Sequence, residues 1–250
     1  MRSAVPTKVA FVTGSGAKRV GNTIVREFAA RGYAVVVHAN RSVEEATATA
    51  RELEAGGAQT LVVVGDLSDE AVVERIVAEV LARFGRIDVL VNSAAIWISK
   101  PLEEVRAADV RHHFEANTLS TFLCCQKVGL QMVKQPTGGA IVNIGDWATE
   151  RPYREYSAYF PSKGAIPATT RMFAVEFAAR NPKVRVNAVL PGPVMLPPEL
   201  TEDERRQAVA GTLVKREGSP ANVAAAVLAL VENEFITGVC LPVDGGRTIA

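Results

Sequence analysis

Short apolar segments alternate with longer amphipathic segments along the whole sequence. The apolar segments are rich in Val and Ile without strict alternation, which is typical of strands covered on both faces. They read KVAFVT (8–13), YAVVVHA (33–39), TLVVVGD (60–66), IDVLVN (87–92), GAIVNIG (139–145), VRVNAVL (184–190) and GVCLPVD (238–244). The stretches between them place apolar residues three and four positions apart, as amphipathic helices do. The pattern predicts a doubly wound parallel sheet of about seven strands in a three-layer α/β/α fold.

The composition is that of an ordinary globular protein, with 250 residues of which 48% are hydrophobic and 22% are charged. At this length one domain over 1–250 is a better prediction than two. Lys plus Arg number 28 and Asp plus Glu number 27, so the net charge is +1. This balance creates no long-range field, and we expect no binding to nucleic acid.

Cysteine usage and hydropathy favour a soluble, cytoplasmic protein. The cysteines are three, an odd number, and Cys124 and Cys125 adjoin in an apolar run, as expected of reduced buried thiols. Their spacing does not match a metal site. The N-terminal residues lack an apolar segment of signal-peptide length, and no run reaches the roughly 18 apolar residues of a membrane span. We therefore expect neither a metal nor membrane association.

The region 191–220 is weakly patterned, rich in proline, and carries a run of charged residues. It follows the carboxyl end of a predicted strand, which is where ligands bind in sheets of this type. Two interpretations remain open. The region is either a lid that closes over a substrate or a plain surface excursion.

A glycine-rich turn, TGSGAKRVG, follows the first strand and contains Gly14, Gly16 and Gly21. Glycines let the backbone turn sharply and approach a pyrophosphate, and the N-terminus of the next helix favours an anion. Lys18 and Arg19 lie near that helix start, where cations oppose the macrodipole unless an anion is bound. A bound phosphate explains this pair better than two solvated basic residues do.

The end of the second strand predicts which dinucleotide binds. An NAD site has an Asp or Glu about 20 residues beyond the glycines, for the ribose hydroxyls. The sequence has no acidic residue between Glu27 and Glu44, and the strand ends instead in Asn40, Arg41 and Ser42. A guanidinium and a hydroxyl suit a 2′-phosphate, so we predict NADPH. The alternative, that Arg41 and Ser42 only cap the next helix, leaves the missing acid unexplained.

A set of motifs covering nearly the whole chain resembles the short-chain dehydrogenase/reductase family. The set comprises the glycine turn, GDLS (65–68), NSAA (92–95), Asn117 in EANTLS, Tyr159-x-x-x-Lys163, PGPV (191–194) and VDGG (243–246). Each motif is common alone, but together in this order they are specific. The resemblance implies a Rossmann-like fold and hydride transfer with a nicotinamide cofactor.

The resemblance implies catalytic roles for Tyr159, Lys163 and Asn117. A phenol is a poor acid or base at neutral pH, and an ammonium one helical turn away stabilises its phenolate. Lys163 would also hold the nicotinamide ribose, and Asn117 would anchor a proton-relay water. Taken alone, the Tyr–Lys spacing would indicate no more than a surface helix pair.

Three departures from the usual family pattern resemble its pteridine reductase branch. The glycine turn is one residue longer, with Arg19 in place of the middle glycine, Asp146 stands where Ser is common, and the loop after NSAA carries Trp97. In that branch the equivalent aromatic is Phe. Substrate contacts are therefore expected from Arg19, Trp97, Asp146 and Tyr159. Cofactor contacts are expected from Gly14, Gly16, Lys18, Arg19, Val20, Asn40, Arg41, Ser42, Asp66, Leu67, Asn92, Ser93, Ala94, Tyr159, Lys163, Pro191, Gly192 and Val194.

Asp146 suggests the type of reaction. Reducing a carbonyl leaves negative charge on oxygen, whereas reducing a ring C=N leaves it on nitrogen, which must be protonated. A carboxylic acid whose pKa is raised by burial can supply that proton. In the alternative, Asp146 is a structural acceptor for the N–H groups of Trp147 and Ala148. Trp97 also has two interpretations, as a stacking surface for a flat ring or as apolar surface at a subunit contact.

The leading hypothesis is an NADPH-dependent reductase of a pteridine-type small molecule, a dihydropterin or dihydrofolate. A carbonyl reductase, such as one acting on 3-oxoacyl thioesters of acyl carrier protein, is the alternative among enzymes. A catalytically inactive NADP-binding regulatory protein is a further alternative, and the complete set of Tyr159, Lys163 and Asn117 disfavours it. The family resemblance implies a homotetramer, in which the segment 121–133 lies either between subunits or in the internal core.

Overall fold

The structure is a computed structural model that describes residues 7–198 and 200–250. Within these residues, seven strands form one sheet: Val9–Val12 (β1), Ala34–Ala39 (β2), Thr60–Val64 (β3), Val89–Asn92 (β4), Gly139–Ile144 (β5), Val184–Pro191 (β6) and Cys240–Val243 (β7). The helices are Val20–Ala30 (α1), Val43–Ala55 (α2), Glu70–Phe84 (α3), Ala107–His113 (α4), Ser120–Lys134 (α5), Tyr159–Ala178 (α6), Glu202–Ala210 (α7) and Pro220–Glu232 (α8). The predicted Rossmann-like α/β fold is confirmed.

The strand order is β3-β2-β1-β4-β5-β6-β7, and every neighbouring pair is parallel. The chain starts in the middle of the sheet, winds to the β3 edge, and then crosses back to β4. The order therefore reverses between β1 and β4. The helices α1 and α5, which follow β1 and β4, pack on opposite faces of the sheet. The crevice at this reversal is the usual binding site of a doubly wound sheet.

Helices cover both faces of the sheet, so each strand contributes to two hydrophobic cores. Consecutive strand residues alternate between the cores, since side chains in a strand point to opposite faces. One core joins Phe11, Leu90 and Ile141 of the strands to Val80, Val128 and Phe177 of α3, α5 and α6. The other joins Val12, Val91 and Val142 to Ile24, Phe28 and Val227 of α1 and α8. Burial on both faces explains why the strands lack polar–apolar alternation.

The region 191–220 runs from the end of β6 to the start of α8 and includes α7. Thr201 caps α7, and its hydroxyl accepts a hydrogen bond from Glu204 N at 3.3 Å. The role of the region 191–220 as a lid stays a prediction. Among the helices that the structure describes, none is both long enough and apolar enough to cross a bilayer.

Candidate active site

The glycine turn after β1 has no room for a side chain at Gly14 or at Gly16. Gly14 has φ of +60°, and a Cβ there would lie 2.8 Å from Ala94 Cα. A Cβ on Gly16 would lie 2.8 Å from Ala46 Cβ. Glycine is the residue that tolerates both the positive φ and the close approach. The turn thus brings bare backbone to the crevice, as a phosphate site requires.

His38 of β2 holds this turn in place. Gly14 N donates to His38 Nδ1 at 3.0 Å, and His38 Nε2 lies 3.0 Å from Gly65 O. Because Nδ1 accepts, Nε2 must carry the hydrogen and donate to the carbonyl. Burial lowers the pKa of His38, which favours this neutral ring. The imidazole therefore links the ends of β1, β2 and β3.

The start of α1 has the features of an anion site. Arg19 is its N-cap residue, and within the described chain neither a capping side chain nor an acid in the first turn satisfies the free N–H groups. Lys18 and Arg19 are exposed, and Val20 is half-buried at the first helical position. The residues present fit a pyrophosphate, because the helix N-terminus and two cations all favour negative charge.

The residues predicted to recognise the 2′-phosphate follow β2 directly. Asn40 and Arg41 are exposed. Ser42 is the N-cap residue of α2, but its side chain makes no capping hydrogen bond. Its hydroxyl is therefore available to a ligand, and the capping alternative loses its main support. The arrangement fits a 2′-phosphate.

Asp66 and Leu67 follow β3, on the adenine side of the predicted cofactor site. Asp66 Oδ1 accepts hydrogen bonds from Ser68 N at 2.9 Å and Ser68 Oγ at 2.8 Å. These bonds lower the pKa of Asp66, so the carboxylate is an acceptor for an amine or hydroxyl donor. Leu67 is buried, which makes it an anchor of the loop.

The remaining predicted cofactor residues lie at the ends of β4 and β6. Ser93 N and Ala94 N donate to Thr13 Oγ1 at 2.9 and 3.0 Å, which ties β4 to β1. The Asn92 side chain is buried and donates to Asn143 Oδ1 at 2.8 Å, so it joins β4 to β5. This bond engages the amide nitrogen, whereas Asn92 Oδ1 has no partner among the described residues.

The PGPV segment begins at the last residue of β6. Pro191 pairs with Val243 of β7, and Val194 is buried. A Cβ on Gly192 would lie 2.5 Å from Asp244 Cα. The segment is thus held against β7 at the carboxyl edge of the sheet.

The predicted catalytic carboxyl and phenol are in direct contact. Asp146 follows β5 and caps a short 3₁₀ turn, Trp147–Thr149, where its Oδ1 accepts from Ala148 N at 2.8 Å. Its Oδ2 accepts from Tyr159 Oη at 2.7 Å. The contact of Oδ1 with the main chain is the one expected of a structural acceptor, and the contact of Oδ2 with the phenol is the one expected of a proton donor. Asp146 makes both.

Lys163 lies one turn along α6 from Tyr159, and its Nζ donates to Ile144 O at 2.8 Å. Tyr159 and Lys163 are each only 5% exposed. Burial raises the pKa of Asp146, although hydrogen bonds from Tyr159 and Ala148 and the charge of Lys163 oppose it. Burial and the neighbouring Asp146 raise the pKa of Tyr159 well above its usual range, and burial lowers the pKa of Lys163 to about 8. The phenol therefore keeps its proton in the hydrogen bond to Asp146, while burial brings the pKa values of Asp146 and Lys163 closer together.

Asn117 occupies a π-helical turn, Phe114–Leu119, that joins α4 to α5. π-helical turns are often found at functional sites. The Asn117 side chain accepts from Ile96 N at 2.8 Å and donates to Ile96 O at 3.1 Å and Ser162 Oγ at 2.9 Å. It therefore fixes both the loop after β4 and the start of α6.

Trp97 stands on the loop after β4, within a cluster of aromatic rings. Its ring is stacked on Tyr156, with centroids 4.6 Å apart and planes 12° apart, and the residue is 41% exposed. Tyr156 contacts Tyr159 edge to face, with centroids 6.3 Å apart. One face of Trp97 is thus covered by Tyr156.

Several residues that organise the site were missed by the sequence analysis. Thr13, His38 and Ser162 have buried side chains that hold the loops just described. Tyr156 forms the wall behind Trp97. A polar residue inside an apolar segment, such as His38 in YAVVVHA, is the signal that could have identified these buried polar side chains.

A family model described as enoyl-(acyl carrier protein) reductase matches residues 16–248. Carbonyl reductase family member 4 of Xenopus tropicalis is 36% identical over 242 residues, covering 96% of this chain and 98% of that protein. The (2S)-[(R)-hydroxy(phenyl)methyl]succinyl-CoA dehydrogenase subunit BbsD of Thauera aromatica is 32% identical over 251 residues, covering 98% of each chain.

Solved structures are similar over the whole fold. Acetoin dehydrogenase from Enterobacter cloacae has a TM-score of 0.87 and 33% identity, covering 99% of this chain and 98% of its own. A blue fluorescent protein from a metagenomic library, in complex with NADPH, has a TM-score of 0.87 and 33% identity, covering 96% of this chain and 97% of its own.

Proposed function

The chain belongs to the short-chain dehydrogenase/reductase family of NAD(P)-dependent oxidoreductases, and from this premise we propose that it reduces a pteridine-type ring with NADPH. The substrate is a dihydropterin or dihydrofolate. The observation that carries the proposal is the 2.7 Å hydrogen bond between Tyr159 Oη and Asp146 Oδ2. It joins a carboxyl to the phenol where the family commonly has a serine.

The carboxyl suits reduction of a C=N bond. Hydride addition to the ring carbon leaves an electron pair on nitrogen, which takes up a proton. Because burial raises the pKa of Asp146, the carboxyl holds a proton closer to neutral pH than an exposed aspartate does. Asp146 supplies the proton directly, or through the phenol that it contacts. The Lys163 ammonium stabilises the negative charge left on the pair.

NADPH is the proposed cofactor, and it supplies the hydride when bound. Lys18 and Arg19 hold the pyrophosphate at the start of α1, and Arg41 and Ser42 hold the 2′-phosphate. The support is that the Ser42 side chain makes no capping hydrogen bond and that no acid follows β2 in the position that NAD requires. Asp66 accepts from the adenine.

Reduction of a carbonyl is the second candidate. It is favoured by the 36% identity to a protein named as a carbonyl reductase. In that reaction Tyr159 alone protonates the oxygen. The Asp146 carboxylate then has the structural role of accepting the hydrogen bond from Ala148 N.

Turnover of NADPH by the purified protein separates the two candidates. We expect dihydrobiopterin or dihydrofolate to oxidise NADPH far faster than an acetoacetyl thioester does. The absorbance of the reduced nicotinamide measures the rate of NADPH oxidation. The opposite ranking would reject the pteridine proposal.

The Asp146→Ser variant tests the carboxyl itself. We expect it to lower pterin reduction by roughly 100-fold, the scale of losing a general acid. Asp69→Ser is a matched control, because Asp69 also caps a helix and accepts from a main-chain N–H, Ala71 N at 2.9 Å. If Asp146→Ser keeps the wild-type rate, Asp146 is a structural acceptor only.

We also propose that the protein forms a homotetramer through α5 and α6. The support is a set of exposed apolar side chains near and on these helices: Leu119, Leu130, Met172 and Val175. Light scattering on the eluted protein should give the mass of four chains. Val175→Glu, at a residue that is 72% exposed, should reduce that mass, and a wild-type monomer would contradict the proposal.

A further inference from the structure

His113 is a buried titratable residue to which the proposed reaction gives no role. It is the last residue of α4, directly before the π-helical turn that carries Asn117, and it is 3% exposed. Its ring lies against Tyr159, with centroids 6.3 Å apart and planes 73° apart. The imidazole therefore forms part of the wall behind the catalytic phenol.

The hydrogen bonding of His113 leaves one nitrogen without a protein partner. Nδ1 lies 2.8 Å from Asp109 O, and since a carbonyl can only accept, Nδ1 carries the hydrogen. Nε2 then presents a lone pair. It is one of two buried side-chain polar atoms in the described residues that have no hydrogen-bond partner. The other is Asn92 Oδ1, on a side chain whose nitrogen donates to Asn143 Oδ1.

A buried acceptor requires a donor, and no described group donates to His113 Nε2. The polar side chains of the site bond to other partners. The Asn117 side chain is bonded to Ile96 and Ser162. Lys100 is paired with Asp109 at 2.8 Å, and Lys163 donates to Ile144 O. The Tyr159 hydroxyl donates to Asp146. Water is the small donor that satisfies such an atom in protein interiors.

We propose that His113 is a positioning residue, whose Nε2 holds a buried water beside Tyr159 through which the Tyr159–Asp146 pair regains its proton. The water donates one hydrogen to Nε2, which orients it. It gives its other proton to the pair after each turnover and takes one in return from the solvent side. The inference rests on the proposed role of Tyr159 as acid.

The test uses variants that separate the two ring nitrogens. His113→Gln keeps a polar group near Nε2, His113→Asn keeps one near Nδ1 only, and His113→Phe keeps the ring volume with no nitrogen. His112→Phe is the matched control, because His112 is the adjacent, exposed imidazole. Rates are measured in H₂O and D₂O with whichever substrate the wild type reduces, pterin or carbonyl, since both reactions need the Tyr159 proton. A wild type that reduces neither would refute the proposed function rather than this inference.

We expect His113→Phe and His113→Asn to lower kcat by roughly tenfold, less than the ~10²–10⁴-fold effect of a general acid itself, because Tyr159 and Asp146 remain in place. Their solvent isotope effect on kcat should rise, because proton delivery becomes slower than hydride transfer, while KM for NADPH stays unchanged. His113→Gln should restore most of kcat and a near-normal isotope effect. If His113→Phe does not fold, the contrast between Asn and Gln decides. Equal kcat and isotope effects in the Asn and Gln variants would overturn the proposal.

Discussion

At the carboxyl ends of β1 and β2 the charged side chains Lys18, Arg19 and Arg41 are exposed, whereas at the end of β5 Lys163 is buried and Asp146 is partly buried. The first region uses solvated cations and bare backbone, an arrangement suited to attracting and holding an anion. The second removes ionisable groups from water, which shifts their pKa values. Binding and proton transfer thus need opposite degrees of burial.

The largest expected effect is in the buried region. Tyr159→Phe removes the hydroxyl that donates to Asp146, and we expect kcat to fall by roughly 1000-fold with NADPH affinity nearly unchanged. Kinetics together with cofactor titration would measure both. Tyr153→Phe, in the same aromatic cluster, should keep most of the activity. A Tyr159→Phe variant that loses cofactor binding instead would remove the distinction between the regions.

In the exposed region, Arg41→Ala should weaken NADPH binding by roughly 10–100-fold, since charge-assisted hydrogen bonds contribute about 1.5–3 kcal/mol. NADH binding should stay within about twofold, because NADH has no 2′-phosphate. Arg51→Ala is the control. Arg51 is an exposed arginine on α2, so its substitution changes the net charge by the same amount. Equal losses for the two cofactors would contradict the assignment of Arg41.

The buried region should also set the pH dependence. Burial lowers the pKa of Lys163 to about 8, so its ammonium is charged below that pH and loses its proton above it. If reduction needs the charge, kcat/KM should fall about tenfold per pH unit on the alkaline side of the Lys163 pKa. Lys163→Arg, which stays charged, should move this fall to higher pH. An unchanged alkaline limb in Lys163→Arg would show that another group titrates there.

Substitution of one glycine in each region should change the stability of the fold in opposite directions. Gly14→Ala should lower the melting temperature, because its φ is +60° and the Cβ would meet Ala94 Cα at 2.8 Å. Gly164→Ala lies in the interior of α6, where a Cβ would meet nothing within 4 Å. It should raise stability by about 0.5–1 kcal/mol through helix propensity. Thermal unfolding would measure both, and a neutral Gly14→Ala would argue against a tight turn.

The strand pattern predicted the fold well because burial on both faces leaves a strong local signal. The segment AVVVHA became β2 and GAIVNI became β5 with nearly the predicted bounds. The partners of individual side chains carried no such signal. The predicted cofactor contact of Asn92 stays a prediction, and nothing local in the sequence indicated that its amide nitrogen donates to Asn143, 51 positions away. Likewise, the strand pattern placed His38 on β2 but did not indicate that its ring bridges Gly14 and Gly65.

The sequence by itself determined the alternation of strands and helices, the glycine turn, the basic end of β2, and the presence of Tyr159, Lys163 and Asp146. These depend on residue type and local spacing. Only the tertiary structure decided that Asp146 divides its oxygens between Ala148 and Tyr159, that Trp97 stacks on Tyr156, and that His113 has an unpartnered nitrogen. Such features depend on burial and on contacts between distant segments, which chain folding alone brings together.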